Sequence, residues 1–244
     1  MMVEKNILKR LYQKYFTKKL VKVYSHPRSG THFLEAFLAE NFYKGKDLSL
    51  DSGTWGHWSN RKVRDIGNPY GKLFKNHHFP KKIKYIQPKI YIVRDGRSVA
   101  YSIWNTPNFI NKELRDISFH DFLRTKIDWK GSPSNKVLPE YTILEHWYQH
   151  VKAWEKYNNF DNELLIIKYE ELLNNPYEIY LKIHDKFFKN KRVLKEEEID
   201  NIKTPVGLLP NKATINSWEK AFSEEDKILY FDVLSKGLDS YKNL

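Results

Sequence analysis

The stretch that most constrains this chain is residues 21–34, Val-Lys-Val-Tyr-Ser-His-Pro-Arg-Ser-Gly-Thr-His-Phe-Leu. Val21, Val23 and Tyr24 read as a short buried strand, residues 26–31 as a tight loop, and Phe33, Leu34, Phe37 and Leu38 as one face of a helix. A helix start presents backbone N–H groups without intrahelical partners and the positive end of the helix dipole, so an anion placed there gains several hydrogen bonds at once. Gly30 permits close backbone approach, Arg28 adds a fixed charge, and Ser29 and Thr31 add hydroxyl donors.

The nucleotide-triphosphatase loop, G-x-x-x-x-G-K-[ST], needs a leading glycine and a lysine after the second glycine. Here His26 stands at the leading position, and Thr31 or His32 where the lysine belongs, which argues against triphosphate hydrolysis. The loop resembles instead the 5′-phosphosulfate loop of sulfotransferases that use 3′-phosphoadenosine 5′-phosphosulfate (PAPS), Pro-[Lys/Arg]-Ser-Gly-Thr-x-[Trp/Phe], residue by residue over 27–33. That resemblance implies that Arg28, Ser29, Gly30, Thr31, His32 and Phe33 hold the phosphosulfate. Taken alone, the loop also reads as an ordinary helix entry with Ser29 as cap.

Four further segments follow in the family's chain order. Residues 71–80, Gly-Lys-Leu-Phe-Lys-Asn-His-His-Phe-Pro, form a short strand running into two histidines. They resemble the family's Lys-x-His strand end, whose histidine is the general base, with one extra residue before Phe79-Pro80. The resemblance maps Lys75 and His77 onto that pattern and leaves His78 as the alternative base. Strand alternation favours His77, because neighbouring residues point to opposite faces and only one histidine can share a face with Lys75.

Ile90-Tyr-Ile-Val93 reads as a buried parallel strand with Arg94 at its carboxyl end, Asp95 as cap and a helix over 96–104. Ligands of open α/β sheets sit at such strand ends. Arg94 and Ser102, eight residues apart, resemble the family's ribose 3′-phosphate pair. A strand over 163–168 leads into Tyr-Glu-Glu-Leu-Leu-Asn-Asn-Pro, which resembles a family segment whose tyrosine lies near the adenine; Tyr169 takes that position. Residues 211–223 resemble a degraded Arg-Lys-Gly-x-x-Gly-Asp-Trp-x-x-x-Phe-[Ser/Thr] segment: Lys212, Trp218, Phe222 and Ser223 match, whereas Asn211 replaces an arginine that binds the 3′-phosphate. Lys203 and Arg97 are the alternatives for supplying that contact.

With 244 residues and no linker signal, a single domain is expected. The net charge of +12 suits an anionic cofactor, acceptor, membrane or nucleic acid. The absence of cysteine excludes disulfides and thiolate sites. Residues 4–20 read as a basic amphipathic helix with six lysines and arginines, either docked on the body or lying on a membrane surface. No apolar run has the length of a membrane span or the character of a signal peptide, so the expected location is cytoplasmic, with peripheral membrane contact through residues 4–20 as the alternative. Residues 44–70 contain Trp55 and Trp58 beside glycines, suited to stacking on an acceptor ring or to sealing the core.

Together the five segments imply an α/β fold: a three-layer sandwich with a central parallel sheet, flanked by helices, around a phosphosulfate-binding strand-loop-helix. They imply transfer of a sulfuryl group from PAPS to an acceptor hydroxyl, leaving adenosine 3′,5′-bisphosphate (PAP). His77 or His78 acts as base, and Arg28, the loop N–H groups and Lys75 stabilise the leaving oxygen, so no metal is expected. A glycan, glycolipid or small alcohol is the expected acceptor. Two rivals are a small-molecule or nucleotide kinase, which would need a Walker-type lysine and Mg²⁺, and a basic nucleic-acid-binding protein, for which no docking motif is visible.

Overall fold

The computed structural model describes residues 21–43, 75–80, 88–105, 114, 116–127, 141–200, 216–238 and 241. The helix expected over 4–20, the tryptophan loop over 44–70, Lys203, Asn211 and Lys212 lie outside these residues, as do the side chains of His32 and Lys75.

In chain order the described elements that build the body are β1 (Lys22–Ser25), α1 (Thr31–Phe42), β2 (Lys75–Asn76), β3 (Lys89–Val93), α2 (Gly96–Trp104), α3 (Phe119–Arg124), α4 (Ile143–Asn158), β4 (Leu164–Lys168), α5 (Tyr169–Asn174), α6 (Pro176–Phe187) and α7 (Glu224–Ser235). The strands form one sheet in the order β2-β1-β3-β4, every neighbouring pair parallel. Parallel strands need crossovers, and the helices that make them cover both faces, so β3 is buried along its whole length.

Strand alternation divides the core in two. Tyr24, Tyr91, Val93 and Leu164 face a cluster built with Val99, Phe122, Trp147, Val151, Trp154 and Tyr230, from α2, α3, α4 and α7. Val23, Ile90, Ile92 and Ile167 face the other side, against Leu34, Phe37, Leu172, Ile179 and Ile183 of α1, α5 and α6. The result is the expected three-layer α/β/α sandwich. Helix starts follow local chemistry: Asp95 accepts from the Arg97 amide, and Thr142–Glu145 and Ser223–Asp226 form capping boxes. At the amino end of β3, Lys89 is buried and bonds Asp161 at 2.7 Å. Among the described residues no helix is long and apolar enough to cross a membrane.

Candidate functional site

The chain leaves β1 toward β2 on one side, while β3 lies on the other, so the carboxyl ends of β1 and β3 flank a topological switch point. Open parallel sheets form their ligand crevice at such a point, where loops diverge. Arg28 follows β1 and Arg94 follows β3, so two guanidiniums from distant parts of the sequence reach one place. Arg94 Nη1 donates to the Arg28 carbonyl at 3.3 Å, and Arg28 Nε donates to Ser102 Oγ at 2.9 Å. Burial, reinforced by the nearby Arg94 charge, pushes the Arg28 guanidinium below its ordinary pKa. Two like charges held together disfavour each other and favour a shared anion.

The loop itself is tight. Ser29 N donates to the His26 carbonyl at 3.3 Å, and α1 opens with the Leu34 N–H on the Gly30 carbonyl at 3.0 Å. Gly30, not Ser29, is the N-cap; it is left-handed with φ 86, and no side chain caps the helix. Ser29 is therefore no cap: its Oγ is buried with no hydrogen-bond partner among the described residues. Arg28 is also left-handed, with φ 68, a strain of roughly 1 kcal/mol for a residue with a Cβ. Tyr169, the first residue of α5, packs its ring over Gly30, and the Arg94 guanidinium lies 4.7 Å from the centre of that ring.

Strand β2 pairs with β1 so that Val23 faces Lys75 and Tyr24 faces Asn76, which carries His77 to the anion loop. His77 Nδ1 lies 3.0 Å from the Ser25 carbonyl and 3.2 Å from Ser25 Oγ, and Ser25 Oγ is 2.7 Å from Thr31 Oγ1. A carbonyl only accepts, so Nδ1 carries a proton, and in the neutral form of such a ring Nε2 is the basic nitrogen. The backbone of this strand end is held from behind by α4: His150 Nε2 donates to the His77 carbonyl at 3.2 Å and Trp154 Nε1 to the His78 carbonyl at 3.2 Å. His150 Nδ1 in turn accepts from Tyr91 OH at 2.8 Å.

Arg97, one of the alternatives for the missing 3′-phosphate contact, pairs with the cap of its own helix. Its Nε and Nη2 grip the Asp95 carboxylate at 2.8–3.0 Å, and its guanidinium stacks 4.0 Å from the centre of the Trp218 ring. Asp95 N donates to Glu170 Oε1 at 3.1 Å, tying the β3 end to α5; burial raises the Glu170 carboxyl above its usual range.

The clustering of three buried histidines at the loop escaped the sequence reading. His26, His146 and His150 bring their rings together with centroids 5.1–6.3 Å apart. Burial drives all three below the usual imidazole pKa, His146 to about 4, with mutual repulsion adding to the effect on His26 and His150. The available signal was His146 and His150 at i and i+4 on the apolar face of a helix, where an aliphatic pair would be ordinary.

The parallel sheet, its switch point and the glycine-opened helix define an open α/β protein of the kind that takes an anionic ligand at its strand ends. Residues 18–205 match the sulfotransferase domain family. The chain is 24% identical to rat Sulfotransferase 2A1 over 91% of its own length and 85% of the relative's, and 26% identical to rat Sulfotransferase 2A6 over 81% and 69%. Solved structures with the same fold include mouse sulfotransferase SULT7A1 complexed with PAP, at a TM-score of 0.58 and 18% identity, covering 95% of this chain and 92% of that one. A retinol dehydratase in complex with retinol and PAP aligns at 0.55 and 18%, over 98% and 87%. The chain belongs to the sulfotransferase domain family, and it is a sulfotransferase enzyme.

Proposed function

We propose that this enzyme transfers the sulfuryl group of PAPS to a hydroxyl of a small molecule or glycan, with His77 as the base. The observation that carries the base assignment is the pinning of His77 Nδ1 on the Ser25 carbonyl, one residue before the anion loop begins. That hydrogen bond fixes the tautomer whose Nε2 can take a proton, and it fixes the ring beside the loop.

The residues fit the cofactor on three counts. A Cβ at position 30 would collide with Tyr169, so the loop keeps a cradle that only glycine permits. Ser29 Oγ is a buried donor with no partner among the described residues, which costs on the order of 1–3 kcal/mol until an acceptor arrives. Arg28, Arg94 and Ser102 together offer two positive charges and a hydroxyl, the donor set a dianionic phosphate takes.

When bound, PAPS supplies a sulfuryl group whose bond to the 5′-phosphate oxygen breaks as the acceptor oxygen bonds sulfur, the electron pair leaving with the bisphosphate. His77 Nε2 takes the acceptor's proton during that attack. The helix start, Ser29, Thr31 and Arg28 stand ready for the charge that grows on the leaving oxygen, and such fixed donors are each worth about 3 kcal/mol. Arg94 and Ser102 would hold the 3′-phosphate, and Tyr169 would contact the adenine. The structural neighbours bound to retinol and to androsterone support an alcohol acceptor of small size.

Calorimetric titration with PAP, with ATP as control and no metal present, tests the cofactor. Binding of PAP alone is expected; equal binding of ATP, or of neither, would overturn the reading. For the base, His77→Ala is expected to bind PAP like the parent and to lose transfer by at least about a hundredfold; undiminished transfer would shift the role to His78.

A further inference from the structure

His26 stands at the head of the anion loop, fully buried, and its two ring nitrogens have different tasks. Nδ1 lies 3.0 Å from the Pro27 carbonyl, and since a carbonyl only accepts, Nδ1 bears the proton. Nε2 lies 2.9 Å from His146 Nδ1 on α4. A neutral imidazole has one N–H, so His26 Nε2 must accept, and His146 must carry its proton on Nδ1.

We propose that His146 is a positioning residue for the phosphosulfate loop, acting through His26. The Pro27 carbonyl belongs to the peptide that enters Arg28, whose left-handed backbone the loop's own sequence does not favour. A conformation of that kind persists only when the surroundings over-determine it, and the His146–His26–Pro27 chain of hydrogen bonds is one tie from the body of the protein, beside the Arg94 bond to the Arg28 carbonyl. Without the His146 donor, His26 either buries an unsatisfied lone pair or takes the other tautomer and releases the Pro27 carbonyl. Both outcomes loosen the peptide that enters Arg28, leaving the loop to the bonds that Arg94 and Ser102 make with that residue.

The same helix sets the other strand ends. Trp147 Nε1 donates to the Arg94 carbonyl at 3.0 Å, while His150 and Trp154 hold the carbonyls of His77 and His78. Helix α4 thus serves as one common reference for the ends of β1, β3 and β2, and His146 makes its hydrogen bond to the head of the cofactor loop. Among the described residues no group of three or more histidines or carboxylates is arranged to hold a metal ion.

The inference rests on reading the loop as the cofactor site, and the experiment separates the two. PAP is titrated calorimetrically into the full chain, into H146L and into H146N, with melting temperatures measured alongside. Asparagine offers an amide N–H near the position of Nδ1, whereas leucine offers none. H146L is expected to bind PAP about tenfold more weakly and H146N within about threefold of the parent. Failure of the parent to bind sinks the cofactor-site reading and this inference with it. A parent that binds, with H146L binding equally well, sinks this inference alone, as does H146N melting like the parent yet binding no better than H146L. Should H146L not fold, imidazole ¹⁵N spectra of the parent decide: protonated Nδ1 and unprotonated Nε2 on His146 uphold the tie, and the opposite tautomer removes it.

Discussion

The ring of Tyr169 lies so close over Gly30 that a Cβ there would sit 2.3 Å from Cδ2 and 2.8 Å from Cε2. Gly30 also has φ 86, so alanine at this position meets two separate penalties. The backbone term is about 1 kcal/mol and the overpacking term about 1–3 kcal/mol. Gly30→Ala is expected to lose roughly 2–4 kcal/mol in denaturant unfolding and to weaken PAP binding strongly. Adding Tyr169→Ala to Gly30→Ala should recover the overpacking part only; full additivity of the two substitutions would show that the ring is not what excludes the methyl group.

Burial and the neighbouring Arg94 charge disfavour the charged form of Arg28. Replacing Arg28 by glycine removes the left-handed strain and the repulsion from Arg94, while it gives up the hydrogen bond to Ser102. These terms oppose one another, so unfolding free energy should change by less than about 1 kcal/mol, whereas PAP affinity should fall more than tenfold. Arg94→Ala should weaken PAP binding comparably. A large loss of stability in Arg28→Gly would mean that the residue is structural rather than ligand-directed.

The buried histidines make the fold acid-sensitive. His146 titrates near 6.5 when unfolded and at about 4 when folded, because burial disfavours its charged form. Between those values the unfolded chain binds more protons, so stability is fully present above about pH 6.5 and declines as pH falls toward 4, by about 3 kcal/mol from this residue alone. His26 and His150 are shifted in the same direction and add to the loss. Melting temperatures across pH 4–8 check this: H146N should flatten part of the slope, and a melting temperature constant down to pH 4 would contradict neutral burial of the cluster.

The Lys89–Asp161 pair lies at the end of the sheet opposite the site, with Lys89 2% exposed. Asp161→Ala strands a buried ammonium and should cost about 3 kcal/mol by thermal or denaturant unfolding. PAP affinity of the folded variant should match the parent's, which makes it a control for the loop variants; a loss of affinity would mean that strain at the amino end of β3 reaches Arg94.

Much of the framework was written in short stretches. Residues 90–93 of β3, the cap at Asp95 and Arg94 at a strand end follow from periodicity and capping chemistry within a few residues. The anion loop was also legible, because backbone freedom at Gly30 and hydroxyls at Ser29 and Thr31 have few other uses at a helix start. Its details were not: the sequence permitted Ser29 as a cap, and only the backbone shows Gly30 at that position with Ser29 turned inward.

The choice between His77 and His78 leaned on strand alternation, and the structure supplies the partner that alternation cannot name, the Ser25 carbonyl 52 residues away. Likewise Arg28 and Ser102 are separated by 74 residues, and His26 and His146 by 120. No local pattern encodes such pairs. By itself, then, the sequence determined the elements, the anion loop and the family. The tertiary structure decided which side chains share the crevice, because the order β2-β1-β3-β4 arises only when two apolar faces of one sheet are buried at once, and that packing brings distant strand ends under a single helix.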